Sequence, residues 1–390
     1  MIAHLFKLIW NKKKQNFLLI TEMFVSFLVV FAVFTLLVYN YKNYKEPMGI
    51  DYKDVWLVNY TPPENINRPD SVAMYIDNLK RLLRSMPQIK EVSFTSNNVP
   101  FSFNTSNSNV TYNNHETMSN FYGGEDTYAN VLNMQMIQGR WFTSEDDAAT
   151  LKPIVINEKL KEKLFENTDA IGKVLEFDKE KLRIIGITNN VKFDGDYQEA
   201  EAGIYKRMDT SWLRWAGAIL LKVQPGTGAA FESQLYKGLS NAIGTTVEIE
   251  HLEKKLKNKN NLMLVPTIIM LVVAGFLIIN VALGLFGVLW YNISKRKGEI
   301  GLRRAVGASG ASVSKQLVGE AIVLSTISLA IGLFFAVQFP LMNVFDLSAN
   351  TYMIAIALAV TFIYVLVILC AFYPGKQAAA IYPAVALHEE

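Results

Sequence analysis

The stretch LMLVPTIIMLVVAGFLIINVALGLFGVLWY, at residues 262–291, contains no charged side chain. About 20 apolar residues are enough for a helix to cross the hydrocarbon core of a bilayer. The stretch therefore predicts a transmembrane helix that is long enough to tilt or to project from the bilayer. The sequence on either side of it decides what kind of membrane protein this is.

Three further apolar runs, at 17–39, 318–339 and 352–373, also predict transmembrane helices. The first run follows basic residues, as a signal peptide would, but the bulky residues 36–39 offer no small-residue cleavage site, so we expect an uncleaved span. Charged residues make up only 19% of the chain, below the roughly 25% of an average soluble domain. A single soluble globule is thereby excluded.

Lys and Arg in the short flanks predict the orientation of the spans. Residues 1–16, predicted to be an amphipathic cytoplasmic segment, carry four basic groups, and the loop 292–317 carries six against one acid. The loop 340–351 has no basic residue. We therefore expect the N-terminus, the 292–317 loop and the tail 374–390 in the cytoplasm, and the 340–351 loop outside the inner (plasma) membrane.

Residues 40–261 are predicted to form a large extracytoplasmic domain, since 222 residues can bury a core. Two β–α–β units, one near each end of the segment, predict a split domain whose halves pair, with an inserted lobe at about 100–150. The Asn-, Ser- and Thr-rich stretch 97–114 is predicted to be a loop. The first unit comprises 55–59, a helix from Pro69 and 91–95, and the second comprises 218–223, 226–239 and 245–249. The predicted fold class is an α+β membrane protein with four transmembrane helices and a mixed α/β domain inserted between helices 1 and 2.

Residues for catalysis or cofactor binding do not form a recognisable pattern. The sequence has no G-x-x-x-x-G-K-[ST] motif, since Val174 follows Gly172–Lys173 and Asn167 replaces the first glycine. The four histidines are far apart, and 145–147 (Glu-Asp-Asp) reads more simply as an acidic turn than as a cation site. We therefore expect no enzyme, no cofactor and no metal. The net charge of +3 does not predict nucleic acid as a partner.

Two acids, Glu22 and Glu320, fall inside predicted spans. Ionisable groups are costly there and usually face protein or water. A proton-relay or gating role is one interpretation. The simpler interpretation is that each acid meets a polar partner at a helix interface or lies near the headgroups.

The loop between the second and third spans reads SKRKGEIGLRRAVGAS at 294–309. It predicts a short basic helix at 294–306, a left-handed stop at Gly307 and an N-cap at Ser309. On physical grounds alone, ordinary positive-inside anchoring would explain it.

The run EIGLRRAVGA at 299–308 closely resembles the signature of the FtsX-like permease domain, which occurs in the membrane subunits of MacB-type ABC transporters. The C-terminal 374–387 (PGKQAAAIYPAVAL) is similar to the end of that domain. Short motifs at 138–142 (QGRWF), 170–173 (AIGK) and 184–187 (IIGI) match the order found in the MacB-type periplasmic core.

The resemblance implies an ABC transporter permease that couples ATP hydrolysis by a separate ATPase subunit to movement of its periplasmic domain, for export (efflux) or mechanotransmission. ATP–Mg would bind in that subunit, and two permease protomers would pair as a homodimer or heterodimer in the lipid bilayer. A periplasmic adaptor and an outer-membrane channel are further expected partners. The alternative is a non-transporting FtsX-like regulator of an envelope hydrolase or sensor. The resemblance assigns the ATPase-coupling role to Glu299, Ile300, Gly301, Leu302, Arg303, Arg304 and Gly307.

Overall fold

The computed structural model describes residues 13–63, 68–166, 168–209 and 212–380. Most of the predicted N-terminal amphipathic segment and the end of the tail lie outside these residues. The helices are α1 (Lys13–Lys45), α2 (Pro69–Arg84), α3 (Tyr128–Leu132), α4 (Glu158–Phe165), α5 (Ala229–Ile243), α6 (Leu252–Lys295), α7 (Lys297–Ala305), α8 (Gly310–Ala336), α9 (Gln338–Leu341) and α10 (Ala349–Ala379). The strands are β1 (Val55–Asn59), β2 (Ile89–Thr95), β3 (Asn107–Tyr112), β4 (His115–Gly124), β5 (Met136–Gly139), β6 (Pro153–Asn157), β7 (Val174–Phe177), β8 (Glu180–Thr188), β9 (Gly203–Arg207), β10 (Ala218–Val223) and β11 (Glu248–His251).

Two compact units divide the chain. Among the described residues, the membrane unit comprises 13–42 and 264–380, and the inserted domain comprises Asn43–Met263. Four helices, α1, α6, α8 and α10, are long and apolar enough to cross a membrane. The predicted fold class is confirmed, since a mixed α/β domain lies in the chain between the first of these helices and the rest.

The membrane unit is held together by apolar side chains from all four long helices. Phe27 and Phe31 of α1 are buried, and the ring centroid of Phe31 lies 5.6 Å from that of Phe339 and 6.3 Å from that of Tyr352. Small residues allow the helices to approach closely. The buried ones include Gly332, Ala336, Ala355 and Ala359.

The first half of the inserted domain is an antiparallel sheet in the order β11-β1-β10-β2. Its two β–α–β units are those predicted, and they pair through β1 with β10 and β10 with β2. The amphipathic helix α2 buries one stripe against this sheet, as its spacing predicts. The stripe consists of Val72, Ile76, Leu79 and Leu83.

The second half is a ring of six strands, in which β4, β3, β7, β8, β6 and β9 follow one another and β9 pairs again with β4. The prediction that the inserted lobe ends near residue 150 is wrong, because strands at 107–124 share this ring and its core with strands at 153–207. The predicted loop at 97–114 is also partly wrong, since β3 lies within it. Pairing with both β4 and β7 compensates for the weak strand propensity of an Asn-rich segment.

The acidic turn at 145–147 serves structural contacts. Asp146 accepts a hydrogen bond from the backbone N–H of Thr143 and forms a bidentate ion pair with Arg140, which lowers the pKa of the Asp146 carboxyl. Asp147 forms an ion pair with Arg207. The acidic run therefore forms the start of a short capped helical turn, as the simpler interpretation predicts.

Candidate functional site

The loop that carries the resemblance contains α7, whose end is fixed by backbone hydrogen bonds. Gly307 lies in the left-handed region, at φ +98°. Its N–H donates to the carbonyl of Arg304 at 3.2 Å, and the N–H of Ala308 donates to that of Arg303 at 2.9 Å. This pair of bonds is the Schellman motif, which satisfies carbonyls that a helix end would otherwise leave open. Ser309 then caps α8 by accepting from the N–H of Ser312, so the predicted stop and cap are both confirmed.

One face of α7 is buried. Ile300 is only 5% exposed and belongs to a small apolar cluster within the membrane unit. Gly301 beside it is also buried. The other members of the cluster are Ile293, Val313, Leu317 and Ala378. Because these residues come from α6, α8 and α10, the cluster fixes α7 against three of the apolar helices.

Arg296, just before α7, connects the loop to the third apolar helix. Its Nη1 donates to both carboxylate oxygens of Glu320 in α8 at 3.1 Å, and its Nε donates to Glu299 at 2.9 Å. The Arg296 and Glu320 side chains are each only 15% exposed. The hydrogen bond to Glu299 is the largest of the influences that raise the pKa of Arg296, and burial opposes them. The partner that Glu320 requires inside a span is therefore this arginine.

A second set of contacts crosses the exposed side of the loop. Glu299 accepts from Arg303 Nη2 at 2.6 Å, so it bridges Arg296 and Arg303. Arg303 Nη1 also donates to Gln316 in α8 at 2.7 Å. Arg304 is half-buried, and its Nε is buried without a hydrogen-bond partner in the described part of the chain. The structure thus brings Glu299, Arg303 and Glu320 into one network.

The remaining predicted residue of the loop, Leu302, faces outward. Leu302 is 55% exposed, and Val306, the C-cap residue that follows α7 four positions later, is 83% exposed. Two apolar side chains at i and i+4 occupy the same face of a helix. A rigid helix that presents an apolar pair among cationic groups can bind another protein surface.

The other predicted intramembrane acid, Glu22, lies elsewhere in the membrane unit, between α1 and α6. A side chain at Gly284 would place its Cβ 2.7 Å from Glu22 Oε2, so the glycine leaves room for the carboxylate. Glu22 thus lies beside α6, whereas Glu320 bonds to Arg296 and Gln316. Among the residues that the structure describes, no group of three or more His, Cys, Asp or Glu side chains is placed to hold a metal ion.

The left-handed conformation of Gly307 leads to a direct prediction. Gly307→Ala is expected to cost about 1 kcal/mol, since a Cβ is unfavourable at positive φ, although no atom lies within 4 Å of it. Hydrogen exchange of the amides at 304–308, measured by mass spectrometry, should then accelerate about fivefold. Gly298→Ala is the matched control, because Gly298 lies inside α7 with equally open space and should tolerate alanine. Equal exchange in the two variants would contradict the assignment of Gly307 as the stop.

Two family models match the chain. The model of the MacB-like periplasmic core domain matches residues 18–249, and that of the FtsX-like permease C-terminal region matches residues 271–383. The chain belongs to the MacB/FtsX-like family of ABC transporter permeases. The first match covers more than half of the chain, and the second includes all of α7, so this FtsX-like permease carries its loop network inside the matched region.

Several curated relatives are similar to this FtsX-like permease. The macrolide export ATP-binding/permease protein MacB of Campylobacter fetus is 27% identical, over 72% of this chain and 45% of the relative. MacB of Neisseria gonorrhoeae is 24% identical, over 77% of this chain and 48% of the relative. The ABC transporter permease YknZ of Bacillus subtilis is 22% identical, over 57% of each chain. The permease chain spans about half the length of the curated relatives that it matches.

Solved structures also resemble part of the permease. The periplasmic region of MacB from Actinobacillus actinomycetemcomitans matches with 18% identity and a TM-score of 0.39, over 56% of this chain and 98% of that one. The extracellular domain of YknZ matches with 18% identity and a TM-score of 0.37, over 50% of this chain and 99% of that one.

Two residues of the loop network, Arg296 and Gln316, were not among the predicted site residues. Gln316 Nε2 donates to Glu320 Oε1 at 3.2 Å, which completes the link from Arg303 to Glu320. One signal could have found Arg296: a lone acid near the start of a span requires a nearby cation. The sequence does not indicate which of the six basic residues of the loop pairs with Glu320.

Proposed function

We propose that this ABC transporter permease binds a separate ATPase subunit through α7, and that ATP hydrolysis there moves the inserted domain for export or mechanotransmission. The observation that carries the proposal is the construction of α7. It is fixed on one side by Ile300 and by the Arg296–Glu320 pair, whereas Leu302 and Val306 are exposed. Because α7 is fixed to the membrane helices, a partner docked on its exposed apolar pair would move α7 and those helices together.

The proposed orientation places α7 on the cytoplasmic side of the inner membrane, where ATP is available. The excess of Lys and Arg in the 292–317 loop supports this side, and both termini would then lie in the cytoplasm as well. The sequence contains no P-loop, so ATP–Mg would bind to the ATPase subunit rather than to this chain. The inserted domain would then lie on the opposite side of the membrane.

The polar side chains of the spans support movement of helices rather than passage of a solute between them. Thr35 donates to the carbonyl of Phe31 at 2.9 Å, and Thr361 donates to that of Ala357 at 2.8 Å. Other span residues bond one turn back in the same way. They are Thr21, Asn280, Ser325, Thr326 and Ser328. Side chains that bond to their own helix do not supply a polar pathway.

The proposed assembly contains further partners. Two permease protomers, as a homodimer or heterodimer, would bind the ATPase subunits in the bilayer. An adaptor and an outer-membrane channel would complete an exporter. The names of the MacB relatives join ATP-binding and permease functions to macrolide export, which supports an ATPase partner and an export role.

The docking role of α7 is tested by exposed substitutions. Leu302→Asp and Val306→Asp should each reduce co-purification of the ATPase subunit at least tenfold, because an apolar contact would be replaced by a buried charge. Both side chains are exposed, so the fold should persist. Leu341→Asp is the matched control, since Leu341 is 73% exposed in the predicted extracytoplasmic segment. Unchanged ATPase binding in both α7 variants, or no ATPase with the wild type, would overturn the proposal.

A further inference from the structure

The segment between β8 and β9 holds the ends of two long helices within the inserted domain. We call residues 192–197 the clamp. On one side the clamp contacts the last turn of α1, and on the other it contacts the first turns of α6. α1 and α6 each continue from this domain into an apolar span. A displacement of either helix would therefore act directly on the clamp.

Lys192 fixes the end of α1. Its ammonium donates to three backbone carbonyls, those of Asn43 at 2.5 Å, Asp196 at 2.7 Å and Glu46 at 3.3 Å. The side chain is almost fully buried, with 1% of the residue exposed. The open carbonyls at the C-terminus of a helix carry partial negative charge, which favours a cation there. Lys192 thus acts as a cationic cap on α1.

Hydrogen-bond acceptors and acidic groups surround the buried Lys192 ammonium. Burial lowers the pKa of the Lys192 ammonium, and the negative charges of Asp196 and Glu46 oppose that shift. An ammonium has three N–H groups, and all three find acceptors here. A buried cation with this many fixed acceptors has one preferred position, so it holds the helix end in one place. Asn43 adds a further bond from Nδ2 to the carbonyl of Tyr197 at 3.0 Å.

Asp196 and Gly195 fix the start of α6. Asn260 of α6 accepts from the N–H of Asp196 at 3.0 Å and donates to its carboxylate at 2.6 Å. Gly195 has φ +98°, and a Cβ there would lie 2.6 Å from Asn260 Oδ1. Only glycine allows this approach. Lys259, which is buried, also forms an ion pair with Asp194 at 2.9 Å.

The clamp is itself attached to the body of the inserted domain. The ring of Phe193 stacks on that of Tyr122 in β4, with centroids 3.9 Å apart. The carbonyl of Phe193 accepts from the N–H of Phe101 at 2.8 Å. The clamp is therefore a bridge with three attachments: one to α1, one to α6 and one to the domain core.

We infer that the clamp couples α1 and α6 to the inserted domain, with Lys192, Gly195 and Asn260 as positioning residues. The inference rests on the proposed function for its ATP-driven part. A loosened clamp would leave ATP hydrolysis intact but would no longer pass the movement of the helices to the domain. The two parts can be measured separately.

The first measurement needs no ATPase. Nitroxide labels replace the exposed Lys45 and Lys257 in the full chain in lipid nanodiscs, with Cys370→Ser to remove the native thiol. The distribution of distances between the labels should be at least twofold broader in Gly195→Ala and Lys192→Met than in the wild type. Gly226→Ala is the matched control, because Gly226 also has positive φ but has no atom within 4 Å of its Cβ position. If the other variants do not fold, the same distances are measured in Asn260→Ala, which removes the hydrogen bonds to Asp196.

The second measurement adds the ATPase subunit and nucleotide. We expect ATP to shift the distance between labels at Leu341 of the membrane unit and Lys237 of the inserted domain in the wild type, and the clamp variants to lose that shift while keeping ATP hydrolysis within twofold. Narrow distributions in all clamp variants, or a retained ATP-dependent shift, would overturn the inference. A broadened distribution in the variants, with no ATP-dependent shift in the wild type, would instead reject the proposed function and leave the clamp as a structural coupling.

Discussion

Arg296→Met is expected to detach α7 from α8, with a loss of about 2–4 kcal/mol of docking free energy. Removal of one partner from a buried ion pair costs about 3–5 kcal/mol. Because both side chains here are 15% exposed, we expect a somewhat smaller cost for this pair. The cost is large because Glu320 lies in an apolar helix and, among the described residues, would keep the neutral Gln316 as its hydrogen-bond donor. Glu299 would lose its contact with Arg296 as well.

The rate of limited proteolysis by trypsin within α7 measures this detachment. Lys297 and Arg304 are trypsin sites within α7 that every variant below retains, and cleavage there requires the helix to open. If opening is in fast equilibrium, a loss of 2–4 kcal/mol raises the cleavage rate by roughly 30-fold or more. If α7 docks the ATPase subunit as proposed, the ATPase rate measured with that subunit should fall in parallel, since the docking face would no longer be held.

Two further variants separate the ion pair from general damage. Arg303→Met is the matched control, because Arg303 is 43% exposed and an exposed pair contributes less than about 1 kcal/mol. The double variant Arg296→Met with Glu320→Met should recover much of the loss, since an apolar pair often replaces a buried ion pair without cost. The prediction fails if Arg296→Met is cleaved as slowly as the wild type, or if the double variant is worse than either single one.

The spans and the paired β–α–β units could be predicted because local patterns determine them. A run without charge, such as 262–291, can hardly be anything but a span, and the stripe from Val72 to Leu83 can bury only one face. The Schellman stop at Gly307 is equally local, because it depends on one residue and its two neighbours in the chain.

The contacts that the sequence did not reveal join distant residues. Arg296 and Glu320 are 24 positions apart, and their meeting depends on how α8 folds back beside α7. Lys192 and Asn43 are 149 positions apart, and a lysine in a polar loop gives no sign that it will be buried. The ring closed by β4 and β9 belongs to the same class, because pairing between strands about 80 residues apart leaves no local pattern.

Gly332→Val is expected to destabilise the membrane unit by about 1–3 kcal/mol, the usual cost of overpacking a core. A Cβ at Gly332 would lie 2.4 Å from Phe27 Cδ1, and Phe27 is fully buried, so its ring has no free space into which it can move. Neighbouring rings, including that of Phe31, restrict it further. The measurement is thermal unfolding in detergent micelles, where the variant should unfold several degrees lower.

Gly287→Val is the matched control for this substitution, since Gly287 is exposed and has no atom within 4 Å of its Cβ position. It should change the unfolding temperature little. Phe27→Val combined with Gly332→Val should be more stable than the sum of the two single effects predicts, because the smaller side chain at position 27 makes room for the larger one at 332. Strict additivity of the two substitutions would mean that α1 and α8 do not touch at this point, and the four-helix core would then require a different packing.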